Sequence, residues 1–347
     1  MGVKNLKKIV SMIIITLLIG CSFGVQGFSK KITNTDVESK KTLLNSFHFM
    51  MFDGRIRSYL LHIPSSYDGS KPVPVVIALH GHPGGWFDLK VSTDLDKKSD
   101  EEGFIVVYPT GHLAPLLERI LFFANTFMPT LHLLGHIWNC WDYCDIDDVG
   151  FIRALVNHLD STLNINSSRM YITGISGGGL MTYRLGSDLS DIVAAIAPVA
   201  GSIGGIWYIE STLYIIPKPA HPMSVIVFHG LQDRNLPYEG GWVNGTLRLW
   251  NTNIKVDINT YFLSVNESVS FWVEHNNCDP TPEIETSESG NIIKRTYANG
   301  TNGSEVVLYT VVNGGHEWFG GPEAFWPPCE ISATDLMWEF FEQHPKQ

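Results

Sequence analysis

One alternation dictates what this chain can fold into: short apolar runs bounded by turn residues take turns with segments whose apolar residues fall at helical spacing. The runs lie at 73–79, 104–108, 170–173, 193–199, 225–228 and 306–312, and 55–63 alternates like a half-buried strand. Helical spacing occupies 147–163, where Phe151, Leu155 and Leu159 share a face behind Asp147 or Asp145 as N-cap, and recurs at 264–275 and 332–341. Strands that are apolar throughout need cover on both faces. The pattern therefore predicts an α/β fold with a mostly parallel central sheet and helices on either side.

Residues 112–137 break the rhythm with a run of leucines, isoleucines and phenylalanines that carries a single acid and a single arginine. Two short apolar helices broken at Pro129 are expected there, serving as extra core, a lid over the site or a membrane-facing patch. At the N-terminus, Lys4, Lys7 and Lys8 precede an apolar run at 9–19 and the small residues Gly20, Cys21 and Ser22. That order is the order of an export signal over 1–27, with Cys21 as a lipid-attachment alternative to plain cleavage. Residues 28–46 are polar and aperiodic and read as a linker, leaving 47–347 as the domain. The expected location is extracellular, with membrane contact confined to the N-terminal segment or the 112–137 insertion.

Export changes how the cysteines are read. Beyond Cys21, four remain, and in an oxidising compartment an even number favours two disulfides, with Cys140–Cys144 and Cys278–Cys329 the expected pairs among three connectivities. Zinc spacing of the Cys-x-x-Cys or His-x-x-x-His kind is lacking, and the acidic string 142–148 has no Glu to close a calcium loop, so no metal is expected. Asn166, Asn244, Asn266, Asn299 and Asn302 stand in Asn-x-Ser/Thr sequons suited to an exported surface. A formal net charge of −11, without a Lys/Arg cluster beyond the tail, argues against nucleic acid as a partner.

The chemistry concentrates at three turns. Gly174-Ile175-Ser176-Gly177-Gly178 follows the run at 170–173 and opens a helix through Leu180, Met181 and Leu185. That strand–turn–helix setting is what exposes a serine nucleophile at a strained turn, with glycines admitting the neighbouring backbone. A serine hydroxyl needs a base, and His316 follows the last strand behind Gly314 and Gly315. An acid to orient that base is expected after an intermediate strand, where Asp233 stands. The order Ser176, Asp233, His316 is that of the α/β-hydrolases. Two backbone N–H donors for the developing oxyanion are expected from Gly177 and from His82 in the loop His80-Gly81-His82-Pro83-Gly84-Gly85. Trp138 and Trp318 are the candidates for stacking on substrate.

Further strings recur in a familiar order: Tyr59-Leu60-Leu61-His62-Ile63-Pro64, Leu79-His80-Gly81-His82, Gly103-Phe104-Ile105-Val106-Val107-Tyr108-Pro109, Asp147-Asp148-Val149-Gly150-Phe151-Ile152 and Gly314-Gly315-His316-Glu317-Trp318. With Phe271-Trp272, Asn277-Cys278 and the serine motif, they make residues 50 onward resemble the secreted polyhydroxybutyrate depolymerase and feruloyl esterase family, which also holds acetylxylan esterases. The resemblance implies an α/β-hydrolase fold, a cofactor-free serine carboxylic-ester hydrolase acting on small or oligomeric esters, and Ser176, Asp233 and His316 as its triad. The chain departs from the family at Gly177, where a larger residue is commoner, at Phe319, which replaces a proline, and in the length of 112–137. Rival readings are a lipase-like enzyme with a lid, a peptidase on the same fold and an inactive binding protein that has kept it.

Overall fold

The computed structural model describes residues 45–113, 136–207, 211–248 and 255–346. They belong to a unit that clusters over Glu38–Gln347. The export signal, Cys21 and the interior of the apolar insertion lie outside the described residues.

β1 (Asn45–Phe52) and β2 (Arg55–His62) form a hairpin, so strand structure begins two residues inside the expected linker. β3 (Val73–Leu79) leads through the loop 80–85 into α1 (Trp86–Ser92) and α2 (Leu95–Glu102). β4 (Ile105–Pro109) follows, then the two-residue strands β5 (His112–Leu113) and β6 (His136–Ile137), which pair antiparallel at the two ends of the insertion. α3 (Asp148–Thr162) starts where sequence placed it, with the Asp147 carboxylate accepting from Gly150 N–H at 2.7 Å. β7 (Ile165–Ile175) runs straight into α4 (Gly177–Asp188).

The second half continues with β8 (Ala195–Val199), β9 (Gly204–Ile206), β10 (Tyr214–Ile215) and β11 (Ser224–Gly230). β12 (Gly241–Arg248) and β13 (Lys255–Phe262) form a hairpin that joins β9 and β10 in a separate antiparallel sheet. α5 (Val265–Asn276) opens on a Ser264–Glu267 capping box. β14 (Glu283–Thr286), β15 (Ile292–Tyr297), β16 (Val306–Val311) and α6 (Ala333–Gln343) complete the chain.

The main sheet has the order β1-β2-β4-β3-β7-β8-β11-β16-β15-β14. Its middle, from β4 through β16, is parallel, and antiparallel strands flank it on both sides. Side chains alternate between two cores. Val75, Ile77, Val107, Ile172 and Leu308 meet Leu155, Leu180 and Trp272 from α3, α4 and α5. Val76, Val106, Tyr171, Ile226 and Phe228 meet Leu89, Leu95 and Phe341 from α1, α2 and α6. Tyr171 and Phe341 stack at 4.5 Å, an example of the aromatic packing that closes the second face.

Two expectations are corrected. Cys140, Cys144, Cys278 and Cys329 are free thiols. Cys278 packs within the core on one face of the sheet while Cys329 packs against the core on the other, which keeps that pair apart. In the local pair, Cys140 Sγ donates to Trp138 O at 3.4 Å and Cys144 Sγ lies 3.7 Å from His112 Nε2, so each thiol is committed elsewhere. The acidic string 142–148, rejected from sequence as a calcium loop, is a separate matter: its Asp148 has a structural role of its own. Its carboxylate is fully buried: Oδ1 accepts from Arg57 Nη2 at 2.6 Å, and Oδ2 from Asn139 N–H at 2.8 Å and His112 Nδ1 at 3.0 Å. Burial pushes its pKa up, but the His112 hydrogen bond and the Arg57 charge outweigh that and hold it below the usual range. Asp148→Ala would leave Arg57 buried without its partner, so a loss of about 3–5 kcal/mol is expected in urea unfolding. A change under about 1 kcal/mol would show that the node carries little of the fold.

Candidate active site

The parallel strands deliver β3, β7, β8, β11 and β16 to one edge of the sheet, where ligands of open α/β sheets gather. Ser176 stands at the end of β7 with φ 59° and ψ −123°, a backbone conformation that non-glycine residues hold at a cost of about 1–3 kcal/mol. Neighbours enforce it. Ser176 N–H donates to Val199 O on β8 at 3.0 Å, and Ser176 O accepts from Leu180 N–H at 2.9 Å as α4 begins. A Cβ on Gly174 would stand 2.6 Å from Gly178 O, and one on Gly178 would stand 2.0 Å from Leu79 O. The turn therefore closes backbone against backbone.

Asp233 follows β11 and is 5% exposed. Its Oδ1 accepts from the N–H groups of Asn235 and Leu236 at 2.8 and 2.9 Å, and its Oδ2 accepts from His316 Nδ1 at 2.7 Å. Burial raises its pKa, yet the His316 hydrogen bond and charge, with help from His229, pull it below the ordinary carboxylate value. An ionised carboxylate only accepts, so His316 carries a proton on Nδ1 and turns Nε2 away from Asp233. The two loops are tied together, since Gln232 N–H donates to Gly314 O at 3.0 Å.

The loop after β3 lies against the serine: a Cβ on Gly81 would be 3.3 Å from Ser176 Cβ and 3.9 Å from its Oγ. Hydrogen bonds from the far side hold it in place. Gly111 N–H donates to His80 Nε2 at 3.0 Å, Trp138 Nε1–H to His80 O at 3.0 Å, and Trp138 N–H to His82 Nε2 at 2.7 Å. Gly84 N–H reaches His136 O on β6 at 3.1 Å. The structure thus gathers Ser176, Gly177, His82, Asp233 and His316 at one edge of the sheet.

The two tryptophans are a correction. Trp138 and Trp318 are both 0% exposed. Trp138 holds the loop after β3 from behind, and Trp318 donates from Nε1 to Thr334 Oγ1 at 3.0 Å inside the core. Neither offers a face to a ligand. Sequence reasoning missed Trp207 and Tyr143, both half-buried. Their rings stack at 5.0 Å and 9°, and Trp207 meets the His82 ring edge-on at 6.4 Å. Trp207 sits in irregular backbone after β9, where no periodicity marks it. Among the described residues, no group of three or more His, Cys, Asp or Glu side chains could hold a metal ion.

Comparison with known proteins agrees with this architecture. No family model matches the chain. It is 27% identical over 261 residues to feruloyl esterase B of Piromyces equi, covering 75% of this chain and 42% of that protein. Feruloyl esterase C of Emericella nidulans is 24% identical over 295 residues, covering 82% and 83%. The solved structure of acetyl xylan esterase from Aspergillus awamori superposes with a TM-score of 0.54 at 14% identity, over 86% of this chain and 99% of that one. The fold is that of the α/β-hydrolases.

His80 and His229 are each 1% exposed. Burial brings His80 down to about 4 and holds His229 below its ordinary value. In the unfolded chain both take up protons near pH 6.5. As pH falls from there toward about 4, the unfolded state binds more protons than the folded one, so stability declines. The urea midpoint is expected to drop from pH 7 to pH 4.5, above the range where Asp233 and Asp148 titrate. His80→Gln should flatten that slope, and an unchanged slope would refute the assignment.

Proposed function

We propose that this chain is a serine carboxylic-ester hydrolase acting through an acyl-enzyme. The observation that carries the reading is the pairing of Asp233 with His316 at 2.7 Å on the sheet edge where Ser176 occupies its strained turn. In this reading, Ser176 Oγ attacks the ester carbonyl carbon as its proton passes to His316 Nε2. Asp233 holds the other ring nitrogen and stabilises the imidazolium. The carbonyl oxygen, now an anion, is met by the backbone N–H groups of Gly177 and His82. Collapse breaks the ester C–O bond, and His316 returns the proton to the departing alcohol. Water, deprotonated by His316 in turn, attacks the acyl-serine and releases the acid.

Similarity to feruloyl esterases supports an aromatic acid as the acyl group, and the half-buried Trp207–Tyr143 stack beside His82 offers such a ring a platform. Short hydroxyalkanoate esters are the second reading, favoured by the sequence strings shared with polyhydroxybutyrate depolymerases. Export through 1–27, with Cys21 as an optional lipid site, belongs to the same proposal. Among the described residues no helix is long and apolar enough to cross a membrane.

Initial rates on methyl ferulate and on a hydroxybutyrate trimer, run side by side, decide the acyl class. Ser176→Ala is expected to lower kcat by roughly 10⁴–10⁶-fold while leaving the circular dichroism spectrum and the urea midpoint close to wild type. Retained hydrolysis in clean Ser176→Ala protein would refute the mechanism.

A further inference from the structure

His82 contributes more than a backbone N–H. A Cβ on Gly177 would stand 2.2 Å from both Cγ and Cδ2 of His82 and 2.5 Å from its Nδ1. The imidazole therefore rests on the Gly177 backbone, and no larger residue fits at 177 while the ring keeps this place. Trp138 N–H donates to His82 Nε2 at 2.7 Å. A backbone N–H cannot accept, so Nε2 is the bare nitrogen and the proton sits on Nδ1. Trp138 is itself fixed: fully buried, it donates from its indole to His80 O, and the next residue's N–H is bound to Asp148.

We infer that His82 is a positioning residue: its ring is the spacer that sets one oxyanion donor, its own N–H, against the other, the N–H of Gly177, with Trp138 bracing the ring. The inference rests on the serine-hydrolase reading, in which both N–H groups must reach one oxygen at about 2.7–3.1 Å. It also gives the departure at Gly177 a physical cause. The residue that would be larger elsewhere has yielded its space to the His82 ring. Desolvation, reinforced by the charges of His80 and His112, brings the His82 pKa down to about 3, so the bare Nε2 that Trp138 needs persists through the neutral range.

The test is a double-variant cycle read as kcat and KM on methyl ferulate and p-nitrophenyl acetate, with fluorophosphonate labelling of Ser176 as control. Gly177→Ala is expected to lower kcat about 100-fold with KM within about twofold, since the new methyl displaces the ring and with it the donor pair. Adding His82→Ala to Gly177→Ala should recover about tenfold, because the obstructing ring is gone. His82→Gln, whose side-chain oxygen can replace Nε2 as acceptor, should stay within about fivefold of wild type, and His82→Leu should lose about tenfold or more in kcat. Nitrogen NMR of His82 should show Nδ1–H and a bare Nε2. Purely multiplicative losses in the double variant, an Nε2–H tautomer, or losses confined to urea midpoints with kcat unchanged would overturn the spacer role. A labelled, active wild type with multiplicative losses overturns this inference alone. A wild type that neither takes the label nor hydrolyses either ester overturns the hydrolase reading, and this inference with it.

Discussion

A single buried carboxylate ties together segments that hold the loop after β3 in place. Asp148 takes hydrogen bonds from β2, from the start of β5 and from the loop after β6. Gly111, just before β5, donates to His80 in the loop after β3. The peptide next to Asn139 holds Trp138, whose N–H and indole fix His82 and His80. Such a node is an uneasy source of stability, because desolvating a carboxylate and a guanidinium offsets most of their attraction. Its value is geometric: with both carboxylate oxygens engaged from fixed directions, the segments that hold the loop after β3 have one arrangement rather than several.

The opposite side of the site is built on close approach rather than charge. β3, β7 and α4 meet with so little room that Gly174, Gly177 and Gly178 each face atoms where a Cβ would stand. Ser176 can hold its left-handed backbone conformation because the strands on either side overdetermine it. Charge-fixed loops on one flank and backbone packing on the other are complementary solutions to one demand, that reacting groups stay within a few tenths of an ångström.

Much of this could be read in the chain itself, for a physical reason. Parallel strands are buried on both faces and so announce themselves as apolar runs, and catalytic residues of such sheets stand just past them, where glycine and aspartate mark turns. Ser176, Asp233 and His316 stand out as candidates on that basis, and α3 is legible from its Asp147 cap. Burial that depends on distant partners is not legible. Trp138 and Trp318 look like ligand platforms in one dimension and are core residues in three. Asp148, one position beyond a true cap, is indistinguishable from it until Arg57, 91 residues earlier, arrives beside it.

The short pairing of β5 with β6 carries a consequence of another kind. His112 and Leu113 lie opposite Ile137 and His136, so two strands 22 residues apart in sequence are held side by side. Closing a chain whose ends already meet costs only about 0.6 kcal/mol for each doubling of its length. The pairing of β5 with β6 is therefore nearly indifferent to the number of residues between the two strands. The hydrogen bonds that Gly111 and Trp138 send from beside those strands to His80 and His82 keep their register with it.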